Sequence, residues 1–287
     1  MLFHPPERDS MMSEALRSNV PVAASDIEHN RLFRLDGQRI VVLGAGGGIG
    51  EHTSRLLASM GAELVCVDSD AASAESIGRS LDCPALSADV TTESGVADVV
   101  GFVESEVGEI HGFVDVIGRT TAKPLAEFTL EDWEDDFRVN TRHAFLLGQQ
   151  LAPLVARSGG GSIVFISSVW SQYASKAAPG YGPAKAALNI WIKQLAEEYG
   201  PAGVRVNGVA PGFFLSPRMV ENLDQVGPSA AQSISRQALL HRLGQPYEVA
   251  GTAAFLLTPA AGYITGSVLP VEGGATSRDP LGFASIG

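Results

Sequence analysis

Cysteine is almost missing from this chain: only Cys66 and Cys83 occur in 287 residues. A small disulfide-stapled scaffold is thereby excluded, since such folds use several bridges in place of a large core. Both cysteines sit in or beside apolar segments and read as buried thiols of a reducing compartment. Positive charge is also scarce, with 20 Lys and Arg against 32 Asp and Glu, a net charge of −12. A surface of that sign disfavours nucleic acid and anionic lipid. No apolar run reaches the roughly 18 residues of a membrane span. The first residues, MLFHPPERDSMMSEALRSNV, lack the apolar core of a signal peptide. The histidines, His4, His29, His52, His111, His143 and His241, form no paired spacing of the zinc-site kind, so no metal is expected. Together these absences predict a soluble, cytoplasmic protein acting on a small molecule.

What is present is apolar residue, 45% of the chain, enough for one large core. Residues 1–34 are polar and aperiodic and read as an N-terminal arm. Residues 35–287 read as one catalytic domain. Candidate strands at 39–43, 63–67, 84–88, 110–117, 162–166, 204–209 and 267–271 alternate with candidate helices at 48–59, 71–81, 92–107, 131–155, 181–199 and 246–257. Strands alternating with helices imply a doubly wound α/β domain, a parallel sheet covered on both faces. Segment 213–240 interrupts the pattern with Pro217, Gly227 and Pro228 and reads as an irregular lid.

The first strand runs into LGAGGGIG, Leu43 to Gly50. Glycines at a strand-to-helix turn let a phosphate approach bare N–H groups at a helix N-terminus. The second strand ends at Val67-Asp68, the acidic position expected about 20 residues further on. A carboxylate there accepts bonds from the adenosine ribose and repels a 2′-phosphate. Ser69, Asp70 and Gly47 offer no cation to neutralise such a phosphate, so NAD is expected over NADP.

In YGPAK, Tyr181 and Lys185 are one helical turn apart and share a face. Pro183 is tolerated only near a helix start, which puts Tyr181 in the first turn. A phenol, with an ordinary pKa of about 10, is a poor base at neutral pH. A neighbouring ammonium and a cationic nicotinamide would lower that value and make Tyr181 a general acid/base. Strand SIVFI ends in Ser167-Ser168, at the strand end where doubly wound folds place their sites. Asn140, in FRVN, is a candidate for ordering a water near Lys185.

This set resembles the short-chain dehydrogenase/reductase family. The match spans about residues 38–275 and rests on GAGGGIG, Asp68, Asp89-Val90, Asn140, Ser168, YGPAK, Pro211-Gly212 and ITGSVLPVEGG. The resemblance implies a single Rossmann-type domain with a seven-stranded parallel sheet, in a homo-oligomer, tetramer or dimer. It implies that Tyr181 is the general acid/base, Ser168 holds the reacting oxygen, Lys185 binds the nicotinamide ribose and Asn140 holds a relay water. Cofactor contacts are implied for Gly44, Gly48, Ile49, Gly50, Asp68, Asp89, Val90, Gly118, Tyr181, Lys185, Pro211, Gly212, Phe214 and Ser216.

Leu43 departs from the family's usual Thr before the loop, and the arm has no counterpart in minimal members. Val114-Asp115-Val116-Ile117-Gly118 replaces the usual Asn-Asn-Ala-Gly after the fourth strand. Asp115 reads as a buried acceptor at a sheet end, or as a charge coupled to Lys185. Arg119, Trp170, Tyr173, Phe213 and Met219 are candidates to face substrate, with Thr120 and Phe214 beside them. The aromatics favour an apolar cyclic or aromatic secondary alcohol or ketone. An NAD-dependent alcohol dehydrogenase or ketoreductase is the leading expectation. A redox-neutral lyase or epimerase on this scaffold and a non-catalytic dinucleotide sensor are the alternatives.

Overall fold

The computed structural model describes residues 24–176 and 178–277. Most of the arm and the end of the chain lie outside the described residues. Seven strands form one sheet: β1 (Arg39–Leu43), β2 (Glu63–Asp68), β3 (Ala85–Ser87), β4 (Gly112–Asp115), β5 (Gly161–Ile166), β6 (Val204–Pro211) and β7 (Val268–Val271). Their order is β3-β2-β1-β4-β5-β6-β7, and every pairing is parallel. The strand order reverses between β1 and β4, which opens a crevice at their carboxyl ends.

Helices α1 (Gly48–Ser59), α2 (Ala71–Leu81), α3 (Glu93–Phe102), α4 (Leu130–Phe137), α5 (His143–Arg157), α6 (Tyr181–Tyr199), α7 (Pro217–Val226), α8 (Pro228–Ser235) and α9 (Pro246–Leu257) connect the strands. Alternate strand residues feed two cores. Val41, Leu43, Phe113 and Phe165 pack under α3, α5 and α6. Ile40, Val42, Val114 and Val164 pack under α1, α2 and α9. Burial on both faces is why the strands read as unbroken apolar runs. Among the described residues no helix is long and apolar enough to cross a membrane.

Four expectations change. The helix expected over 131–155 is two helices joined by a π turn, Arg138–Arg142, and the one over 92–107 ends in another, Val103–Val107. The strand expected over 110–117 stops at Asp115, because the Asp115 carboxylate takes the Ile117 N–H (3.0 Å) and turns the chain. Segment 213–240 is not irregular: it forms α7 and α8. Ser216 caps α7 by accepting the Met219 N–H (3.1 Å), and Pro217 and Pro228 each open a helix. Gly227 separates the two at φ +81°. The residues that looked like breakers are helix starters.

Candidate active site

β1 delivers the chain into the glycine loop at the crevice. Gly44 takes φ +83°, and its N–H and that of Ala45 bond Val67 O at 2.8 and 2.9 Å. Gly50 packs so tightly that a Cβ would lie 1.8 Å from Gly44 O. At Gly47 and Gly48, by contrast, a Cβ would meet nothing within 4 Å. The loop is therefore closed toward the sheet and bare over the start of α1, where N–H groups and the helix dipole favour an anion. Ile49 is buried beneath it. A dinucleotide pyrophosphate fits this cradle.

Asp68 serves the loop directly: Oδ2 accepts the Gly46 N–H (2.8 Å) and Oδ1 the Asp70 N–H (3.0 Å). Each oxygen keeps a lone pair for a further donor. Asp89 accepts the Thr91 hydroxyl (2.7 Å) and N–H (3.0 Å), and the hydroxyl bond first of all holds its pKa below the ordinary value. Val90 beside it is buried.

Tyr181 opens α6, with Pro183 in the first turn, where the ring breaks no helical bond. Lys185 follows one turn on, 1% exposed. Its Nζ donates to Ile166 O (2.7 Å) and approaches Ile117 O (3.5 Å), tying α6 to the ends of β5 and β4. It stands 5.9 Å from the Tyr181 ring centroid. Burial pushes Lys185 down to about 8, opposed by the charge of Asp115. Burial pushes Tyr181 up to about 12, with a hydrogen bond to Ser168 working the other way. The lowered phenol pKa expected from Lys185 is thus not a property of the chain alone. The ammonium is engaged by two carbonyls, and desolvation prevails.

Ser168 leaves β5 with its Oγ accepting the Trp170 N–H (3.2 Å). Asn189 fixes this turn to α6: it accepts from Ser167 Oγ (2.5 Å) and donates to Ser171 Oγ (2.8 Å). Sequence reading passed over Asn189. Its signal was spacing, since Tyr181, Lys185 and Asn189 fall at i, i+4 and i+8 on one face.

At the end of β4, Asp115 is 1% exposed and bonds His143 Nε2 at 2.8 Å. His143 is itself fully buried, and its Nδ1 has no partner among the described residues. No local pattern announces this pair, which joins positions 28 residues apart. Asn140 lies in the π turn. Its amide donates to Arg119 O (2.7 Å) and Asp136 O (2.8 Å), and its Oδ1 accepts the Arg119 N–H (3.2 Å). Both amide hydrogens are engaged, so the side chain braces the loop after β4. A Cβ on Gly118 would lie 3.0 Å from Lys185 Nζ and 3.1 Å from Asn140 Oδ1, so a larger residue there would crowd both side chains.

The expected substrate-facing residues divide. Trp170 packs edge-on against both Tyr181 and Phe213, with ring centroids 5.9 Å apart in each pair. Tyr173 is half exposed on the rim, its hydroxyl donating to Thr276 O (3.3 Å). Met219 sits in the first turn of α7. Arg119 turns its guanidinium to Asp135 and leaves only its backbone at the site. Phe214 packs against the core under α9 and bridges to Gly244. Pro211 ends β6, and Gly212 donates its N–H to Val271 O (3.0 Å). The Ser216 hydroxyl accepts the Met219 N–H as the α7 cap.

A dinucleotide cradle, a Ser–Tyr–Lys cluster and an order-reversing parallel sheet define a Rossmann-type oxidoreductase site. The family model described as Enoyl-(Acyl carrier protein) reductase matches residues 44–276. A gluconate 5-dehydrogenase of Gluconobacter oxydans (strain 621H) is 34% identical over 255 residues, 87% of this chain and 99% of that protein. A 7α-hydroxysteroid dehydrogenase complexed with NADH and 7-oxo glycochenodeoxycholic acid superposes with a TM-score of 0.80 at 30% identity, over 86% of this chain and 98% of that one. An L-sorbose reductase of Gluconobacter frateurii complexed with NADPH and L-sorbose gives 0.82 at 28% identity, over 86% and 100%. The chain belongs to the short-chain dehydrogenase/reductase family of oxidoreductases.

Proposed function

We propose that this protein is an NAD-dependent dehydrogenase/ketoreductase that interconverts an apolar cyclic or aromatic secondary alcohol and its ketone. The observation that carries the reading is Tyr181 in the first turn of α6, with buried Lys185 one turn away and buried Ser168 at the end of β5, at the mouth of a glycine-lined crevice. When bound, the nicotinamide supplies the hydride acceptor or donor. The protons fall to the chain. In oxidation Tyr181 takes the hydroxyl proton, and Ser168 holds the oxygen as its charge changes. Lys185, kept cationic, favours the phenolate and donates to the nicotinamide ribose. Asn140 braces the loop that bounds Lys185, and the relay water is assigned to it.

Gly44, Gly48, Ile49 and Gly50 form the pyrophosphate cradle, with Asp68 toward the adenosine ribose and Asp89-Val90 toward the adenine. Gly118, Pro211, Gly212, Phe214 and Ser216 lie on the nicotinamide side. Asp68, followed by Ser69 and Asp70 and facing a loop with Gly47, supports NAD over NADP, since a 2′-phosphate there would meet a carboxylate. Segment 213–240 acts as a lid over the substrate. Trp170 and Phe213 support an apolar ring as substrate, because they wall the tyrosine with aromatic surface. Leu130, Trp133 and Phe145, exposed on α4 and α5, support a dimer or tetramer.

Formation of NADH across a panel of cyclic, aromatic and polyhydroxylated secondary alcohols tests the reading. Turnover confined to cyclic or aromatic members, reduced in Trp170→Ala, is expected. Turnover of sugars and sugar acids alone would overturn the substrate assignment. Absence of turnover with every alcohol and ketone, despite tight NADH binding, would overturn the activity.

A further inference from the structure

Cys66 and Cys83 lie outside the catalytic cluster, yet their Sγ atoms are 3.6 Å apart. Cys66 is buried within β2, held on both sides by register with Val42 of β1 and Ala85 of β3. Cys83 lies between α2 and β3 and is only partly buried. It borders a surface cavity of about 260 Å³ shared with Glu75, Arg79 and Ser87. A small oxidant can therefore reach Cys83, with Cys66 waiting behind it. Their mutual hydrogen bond holds Cys83 below and Cys66 above the ordinary thiol range, so Cys83 is the sulfur that ionises first.

Both sulfurs are tied to the glycine loop. Cys66 is two residues before Asp68, whose Oδ2 holds the Gly46 N–H at 2.8 Å. The Cys83 N–H bonds Gly78 O on α2 (3.0 Å). At the other end of that helix, Ser73 presses on the loop: a Cβ on Gly46 would lie 2.5 Å from Ser73 Cβ. Because Cys66 is fixed in the sheet, a bond between the sulfurs moves Cys83 and pulls on α2.

We propose that Cys66 and Cys83 are a hydroperoxide-sensitive dithiol whose closure to a disulfide weakens dinucleotide binding at the glycine loop. The Cys83 thiolate attacks a peroxide oxygen, the O–O bond breaks, and hydrogen peroxide yields a sulfenic acid and hydroxide, which is protonated to water. The Cys66 sulfur then attacks Cys83, the S–O bond breaks, and a second water leaves with the Cys66 proton. In sum, two thiols are oxidised to one disulfide while one peroxide is reduced to two waters. Such transient cysteine pairs are compatible with a reducing compartment.

The binding half of the proposal rests on the dinucleotide reading above; the chemical half does not. The test is hydrogen peroxide titration of the full chain, read by intact mass after alkylation and by NADH fluorescence. The expected result is loss of two hydrogens, a 66–83 crosslinked peptide, and an NADH Kd raised at least about five-fold and restored by dithiothreitol. In Cys83→Ser neither change occurs. Oxygen adducts on Cys83 without a crosslink would overturn the dithiol, and so would equal weakening in Cys83→Ser. A disulfide with unchanged Kd would overturn the coupling. Failure of the reduced protein to bind NADH would sink the functional reading and the coupling with it, leaving the crosslink to be judged by mass.

Discussion

Replacing Asp115 with Asn removes a buried charge while keeping the side chain's shape. The carboxylate accepts the Ile117 N–H (3.0 Å), and Ile117 O lies 3.5 Å from Lys185 Nζ, so one residue separates anion from cation. Burial takes Lys185 down to about 8, and Asp115 is the charge that opposes the fall. Losing an opposite charge this near lowers a pKa by about one unit, or about 1.4 kcal/mol. In the variant the charged fraction of Lys185 at about pH 8 drops from about a half to about a tenth, so kcat/KM falls about five-fold there. Near pH 6 the lysine is charged in both proteins and the two should agree. The sign for stability follows. The folded pKa lies below the unfolded 10.5, so the native state holds fewer protons and stability rises with pH from about 8 toward 10.5. The substitution extends that rise downward by about one unit. The assay is kcat/KM against pH, with urea unfolding at mildly acid and mildly alkaline pH. Superimposable pH–rate profiles, with stability alone altered, would refute the coupling and leave Asp115 as a backbone acceptor.

Asp68→Ser removes the carboxylate proposed to face the adenosine ribose; the ratio of kcat/KM for NAD⁺ over NADP⁺ should fall by at least about ten-fold, about 1.4 kcal/mol. An unchanged ratio would show that Asp68 serves only Gly46 and Asp70. Gly50→Ala places a Cβ 1.8 Å from Gly44 O, which the loop cannot absorb without shifting. Overpacking of this kind costs about 1–3 kcal/mol or more, so a lower Tm and loss of NADH binding are expected. Normal binding would mean that the loop is more pliant than its packing indicates. Asn189→Ala breaks the bonds to Ser167 and Ser171, worth about 1 kcal/mol each. With Ser168 loosened, kcat should fall more than KM rises; a purely thermal effect with intact kcat would make Asn189 structural only.

Local chemistry made much of this fold legible. Helices at 48–59, 71–81, 181–199 and 246–257 occupy the spans expected for them, because Gly47, Asp70 and Pro246 mark their starts and apolar spacing marks their length. The parallel sheet covered on both faces followed from strand–helix alternation. The missing parts depend on geometry beyond the window of local reading. The π turn at Arg138–Arg142 has no composition of its own, although it presents Asn140 to Arg119. His143 gives no sign in FRVNTRH that it will meet a carboxylate on β4. Arg119 was a residue of plausible type at a plausible position. Its side chain turns to Asp135, which only packing decides. In 213–240 the error lay in reading proline as an interruption without asking whether it stood at a first helical position.

The most direct test of the proposed chemistry is Tyr181→Phe. The variant keeps the ring that packs against Trp170 and loses only the hydroxyl. With an alcohol that the native protein oxidises, kcat should fall by about 10²- to 10⁴-fold, the usual worth of a general acid/base. NADH binding by fluorescence should be unchanged. Near-native turnover in Tyr181→Phe, with NADH still bound, would contradict the account.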